Sequence, residues 1–169
     1  MIHPTHVRTW PLVVAIASGA FAGCTGQDIV VNLGDSIQHD DFIYRVTHVR
    51  TMDRIGPLRP SGTYHAVTVV VENHAGRVNH VWNNTIAYLI AGDGQTFEND
   101  THAQQALDRL TPFGWQDRYV TPAEETAHTT LVFDVPTGAT PLYVKVRGEL
   151  LMGDVFAFNR YQRTRVRLP

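Results

Sequence analysis

The 169-residue sequence contains one cysteine and one lysine, and its formal net charge is only −2. A single thiol, Cys24, excludes an internal disulfide and any cysteine-based zinc site. Lys145 is the sole lysine, so almost all positive charge is arginine, which pairs directionally and stays charged. The near-neutral balance excludes the strongly basic surface of a wholesale nucleic-acid binder. Apolar runs stop short of the roughly 20 residues that span a bilayer as a helix. After Cys24 the only serines are Ser36 and Ser61, and neither sits in a Gly-x-Ser-x-Gly elbow. There is no His-Glu-x-x-His pair, and Gly92-Asp93-Gly94 precedes a strand-like segment rather than the helix a dinucleotide loop requires. The expectation is a non-enzymatic chain with no cofactor and no catalytic residues.

What the chain does carry begins at its N-terminus. A start containing Arg8 is followed by the short apolar run PLVVAIASGAFAG and then by Cys24, the pattern of a secretory signal. Phe21-Ala22-Gly23-Cys24 resembles the bacterial lipobox, with Phe21 in place of the usual leucine. In such signals the cysteine thiol takes a diacylglycerol, and the peptide bond before it is cut. The resemblance implies a lipoprotein signal peptide over 1–23, a lipidated tether over 24–27 and one domain over 28–169. Each buried acyl methylene contributes about 0.8 kcal/mol, so several chains anchor firmly. Thr25, rather than Asp, follows the cysteine, which favours the outer membrane if the organism is Gram-negative.

Beyond the tether the hydrophobic period is mostly two, the strand signal. Phe42, Tyr44 and Val46 alternate with Ile43, Arg45 and Thr47. Val67, Val69 and Val71 share a face, as do Leu131, Phe133 and Val135, which stop at Pro136. Trp82, Ile86, Tyr88 and Ile90 are read as one face, and Leu142, Val144 and Val146 as another. Asp93-Gly94 marks a tight turn, because glycine accepts positive φ. Residues 51–62 carry Gly56, Pro57, Pro60 and Gly62 and read as a loop. Ala103, Ala106, Leu107 and Leu110 have helical spacing, with Asp100 or Thr101 to cap the start and Pro112 to end it. Seven or eight strands and one short helix over the end of a sheet predict an all-β antiparallel sandwich.

The segments YHAVTVVVEN, LIAGDGQTF and TLVFDVPTGATPLYVKV occur in an order that resembles a family of bacterial secreted proteins and lipoproteins of unknown function. Members have an immunoglobulin-like sandwich similar to mycobacterial immunoprotective extracellular antigens. The resemblance runs from about Asp28 to Gly148 and rests on Val67 to Asn73, Asp93-Gly94 and Val132 to Pro136. It implies the fold and an exported location, and it transfers no catalytic residue. Glu149 to Tyr161 lies beyond it.

Among candidate chemistries, His39, His48, His65, His74 and His80 raise an alternative, a periplasmic metal-handling protein using surface histidines. Three or four ligands must converge on one ion. His39 and Asp40 are adjacent and point to opposite faces in a strand, so no metal site is assigned and these histidines read as polar loop residues. His48 shares parity with Phe42, Tyr44 and Val46 and reads as a hydrogen-bonded histidine at the core edge. Glu124-Glu125 reads as a solvated turn, and Trp82, Phe113 and Trp115 as packing. On the last strand Arg163, Arg165 and Arg167 share a face opposite Val166 and Leu168, and Tyr143, Lys145 and Arg147 share the outward face of another strand. If the two strands are neighbours, these six residues form a contact surface for an anionic partner. Protection of sheet edges by charge explains them on its own and is the preferred reading. The functional expectation is a lipid-anchored binding or accessory module of the cell envelope. Its partners would be the membrane, through the lipid, and a protein or anionic envelope component, with no nucleic acid.

Overall fold

The computed structural model describes residues 27–110, 118–149 and 151–169. Cys24, the signal segment 1–23, Pro112, Phe113 and Trp115 lie outside the described residues. The strands are β1 (Ile29–Val31), β2 (Ser36–His39), β3 (Phe42–Met52), β4 (Thr63–Asn73), β5 (His80–Trp82), β6 (Ala87–Ala91), β7 (Thr96–Phe97), β8 (Tyr119–Thr121), β9 (Thr126–Val135), β10 (Leu142–Val146) and β11 (Thr164–Arg167). The helices are α1 (Thr101–Asp108), α2 (Met152–Phe156) and α3 (Arg160–Arg163). One sheet has the order β2-β3-β4-β9 and the other β1-β11-β10-β6-β7, with β5-β8 a separate ribbon. All pairs are antiparallel except β1 with β11, which run parallel.

The two sheets close on one apolar core. Tyr44, Val46, Val67, Val69, Val71, Leu131, Phe133 and Val135 from the first sheet meet Ala87, Leu89, Ala91, Leu142, Val144, Val146 and Val166 from the second. The β-branched valines suit a pleated surface packed against neighbours. Burying each such side chain contributes about 1.5–3 kcal/mol.

The alternation breaks at three places, each with a local cause. A bulge between Val46 and His48 leaves Thr47 without a partner residue and reverses parity. His48 therefore pairs with Thr68 on the outer face and is exposed, which corrects its reading as a core-edge residue. A 3-10 turn over Asn84–Ile86 resets the phase after Trp82. Ala87, Leu89 and Ala91 turn inward as a result, and Tyr88 and Ile90 face outward, opposite to the sequence expectation. Arg163 ends α3 instead of lying on the last strand.

Helix α1 lies on the outer face of the β4–β9 pair rather than over the end of a sheet. Asp100 caps it, its Oδ1 accepting from Ala103 N at 2.9 Å. Ala103 and Leu107 cover Ile55, Tyr64, Ala66 and Val132 in a second, smaller cluster. The free edge of β9 is covered as well. Val132 O accepts from Asp100 N at 2.7 Å and from Asn99 Nδ2 at 3.0 Å. At Val132 the edge is thereby closed to another strand.

Candidate functional site

Three surfaces carry the polar chemistry of the described residues. The first is a buried chain of rings at the end of the sandwich where β2 turns into β3. Ile37 and His39 are two apart on β2, so both point into the core, and His39 is only 2% exposed. Its Nε2 lies 2.8 Å from Glu149 O and 3.1 Å from Asp154 Oδ2. Its Nδ1 lies 3.2 Å from Tyr44 Oη, which is 2.9 Å from His80 Nε2. A carbonyl only accepts, so His39 Nε2 carries a hydrogen. His39 Nε2–H donates to Glu149 O and faces the Asp154 carboxylate, and the Tyr44 hydroxyl links His39 Nδ1 to His80 Nε2. Burial, with His39 as a second cause, lowers the His80 pKa to about 4, in keeping with a neutral ring. Burial also pushes the Tyr44 phenol well above its ordinary range, with Tyr161 and Asp154 adding to the effect.

This chain fastens the segment after β10 to the β2–β3 hairpin. Tyr161 stacks on His39 with centroids 4.0 Å apart and donates to Gly148 O at 2.7 Å. Asp154 Oδ2 also accepts from Leu151 N at 2.9 Å, closing the first turn of α2. Gly148 and Gly153 are required by the close approach, since a Cβ at Gly148 would overlap the His39 ring and one at Gly153 the Asp40 carboxylate. Asp154 is 2% exposed, so the His39–Asp154 contact serves as a brace. His80 opens from it into a cleft of about 530 Å³, lined also by Phe42, Asn83, Thr85, Arg147 and Leu151.

The second surface is a groove of about 570 Å³ on the outer face of β3, β4 and β9, between α1 and β8. His48, Arg50, Thr68, Thr130 and Tyr119 line it with donors and acceptors, and Ala66 and Leu107 supply an apolar floor. The bulge at Thr47 is what brings His48 here.

The third surface is the outward face of β10 and β11. The strands are neighbours, with Tyr143 opposite Arg167 and Val144 opposite Val166. Both are interior strands, so protection of a sheet edge does not explain their charge. Arg165 lies over Tyr143 at 4.1 Å and pairs with Asp28 at 3.1 Å. Arg147 lies over Tyr88 at 4.3 Å and grips Glu98 through two bonds of 2.6 Å. That bonding holds the Glu98 carboxyl below its ordinary range. Lys145 stands across from Tyr88, and Arg163, on α3, donates to Phe158 O. Two of the expected cations are thus matched by carboxylates, and a third belongs to another element.

Sequence reasoning missed Asp154, Tyr161, Gly148 and Gly153, and it read His39 as a polar loop residue. The parity of His39 with Ile37 was the available signal. The histidines do not gather around an ion: among the described residues no three His, Cys, Asp or Glu side chains are placed to hold a metal. No helix among them is long and apolar enough to cross a membrane.

Several solved structures share the fold. The yjhA protein of Bacillus subtilis superposes with a TM-score of 0.55 at 11% identity, over 82% of this chain and 98% of that one. MPT63, a secreted protein from Mycobacterium tuberculosis, does so with 0.55 at 16%, over 75% and 94%. An uncharacterized beta-sandwich protein of Clostridium difficile gives 0.53 at 12%, over 85% and 95%. At these identities the likeness concerns the fold alone. No curated protein matches the sequence. A family model does, over residues 31–155, a span that takes in the long strands β3, β4 and β9, the groove and most of α2, and so the chain belongs to the family described as a domain of unknown function, DUF4352.

Proposed function

We propose that the chain is a non-enzymatic, lipid-anchored binding module of the bacterial cell envelope that presents the β3–β4–β9 groove to its ligand. The groove carries the reading. Its hydrogen-bonding side chains stand on the centre of a rigid sheet, over an apolar floor that helix α1 completes. Fixed donors and acceptors on a preformed surface recognise a ligand with little ordering cost. Export and anchoring rest on the apolar run before Cys24 and on the lipobox-like Phe21-Ala22-Gly23-Cys24. The secretion of MPT63, which shares the fold, is in keeping with export. The outer membrane is the favoured location in a Gram-negative cell, because Thr25 follows the cysteine.

The test has two parts. Mass spectrometry of the mature protein should find Cys24 at the N-terminus bearing a diacylglyceryl group, and Cys24→Ala should leave the membrane fraction. In intact cells, chemical crosslinking of the parent should give a discrete adduct that Thr68→Arg abolishes at an unchanged melting temperature. An unmodified thiol removes the anchor from this reading. Identical adducts in parent and variant remove the groove.

A further inference from the structure

Helix α2 is built inside out. Its one acidic residue, Asp154, is buried, while Met152 is 75% exposed, Val155 51% and Phe156 79%. Phe158, just beyond, is 82% exposed. An ordinary surface helix turns its apolar stripe to the core. Here four large apolar side chains within seven residues point to solvent, where scattered single exposures would be unremarkable but a cluster marks a contact surface.

The outward pose is imposed by polar bonds. Asp154 is tied to His39 at 3.1 Å, Ala157 N donates to Gly153 O at 3.0 Å, and Asn159 N donates to Asp154 O at 2.7 Å. Phe158 and Asn159 both have positive φ, 55° and 52°. Asparagine adopts that conformation readily, but a phenylalanine holds it only where its surroundings fix it. The knuckle is therefore a held shape.

The topology says what it faces. Strand β1 runs parallel to β11, with Ile29 beside Thr164, and Thr164 directly follows α3. The chain thus enters the sandwich at the end that carries the knuckle. Cys24 precedes Gln27, the first described residue, by three positions, and three residues reach at most about 11 Å. A lipid on Cys24 would hold this end, and no other, against a bilayer. This end carries both signs of charge, with Asp40 against Gly153 and Arg160 and Arg163 on α3, so apolar burial rather than net charge would drive the contact.

We propose that the α2 segment, through Met152, Val155, Phe156 and Phe158, inserts into the interfacial layer of a phospholipid bilayer and sets the orientation of the sandwich on the membrane. The inference deepens the lipid-anchored reading and takes the nearness of the bilayer from it. Amphiphilic surface elements dock in this way, with aromatic and aliphatic side chains at the headgroup boundary. A photoreactive benzoyl-phenylalanine at position 156 of the full chain, expressed and irradiated in cells, tests it. The control places the same group at Gln95, in the β6–β7 turn at the opposite end. Phospholipid adducts counted by mass spectrometry should be about tenfold more abundant from position 156, as insertion of an interfacial element requires. Equal yields from the two positions, adducts at 156 made mainly with protein, or an absence of phospholipid adducts there would each overturn the proposal. The acyl state of Cys24 is read in the same samples. An acylated cysteine without lipid at 156 defeats insertion alone, and lipid at 156 beside a free thiol defeats the anchor alone.

Discussion

Helices α1 and α2 are both short but are held by opposite means. Helix α1 follows the usual plan: Ala103 and Leu107 seal an apolar cluster on the sheet, and Asp100 caps its start. Helix α2 buries a carboxylate against His39 and leaves its apolar side chains in solvent. One helix stays in place because water is excluded beneath it. The other stays because a hydrogen-bonded ring chain has nowhere else to find partners. A helix of the first kind contributes its apolar face to stability, whereas a helix of the second kind keeps that face for another surface.

The comparison makes unequal demands on substitutions. The largest effect is expected at Leu107→Ala, which opens a cavity under α1 and should cost about 2–3 kcal/mol in chemical denaturation, the lower part of the range for a buried leucine. Asp154→Ala should cost less, about 1–2 kcal/mol, because His39 Nε2 keeps Glu149 O while the Leu151 N–H loses its acceptor. Acid should act on the same end. The folded pKa of His80, about 4, lies below its ordinary value of 6.5. Its contribution is therefore fully present above about pH 6.5 and is lost as pH falls through 4, since the unfolded chain binds the proton first. Melting temperatures of the parent should drop across that window more than those of His80→Gln, and parallel curves would detach His80 from acid sensitivity. The smallest effect is expected at Phe156→Ser, within about 0.5 kcal/mol, as for a surface position. A loss comparable to that of Leu107→Ala would mean the knuckle belongs to the core.

Much of the fold was legible because its central strands obey one rule. Val67, Val69 and Val71, and Leu131, Phe133 and Val135, alternate without interruption, and all six are buried. The Asp93-Gly94 turn and the Asp100 cap were legible for the same reason, since their signals are local. The failures came where one residue shifts the phase. The bulge at Thr47 and the 3-10 turn after Asn83 leave no mark that period counting detects, and each sends the following residues to the other face. The buried brace was illegible for a different reason. His39 and Asp154 are 115 positions apart, and their contact depends on two glycines whose role appears only when the segments meet. The adjacency of β10 and β11 entered only as a condition, and the carboxylate partners of their arginines, Asp28 and Glu98, come from distant parts of the chain.

Polar bonds and the stack of Tyr161 on His39, not the exposed apolar side chains of α2, hold the segment after β10. Hydrogen exchange read peptide by peptide tests it directly, in the parent, in Asp154→Ala and in the double variant Phe156→Ser, Phe158→Ser. Asp154→Ala should speed exchange across residues 151–163 by about tenfold or more, the equivalent of roughly 1.4 kcal/mol of local opening, while α1 is unchanged. The double variant should leave both regions as in the parent. Faster exchange in the double variant with none in Asp154→Ala would contradict the claim.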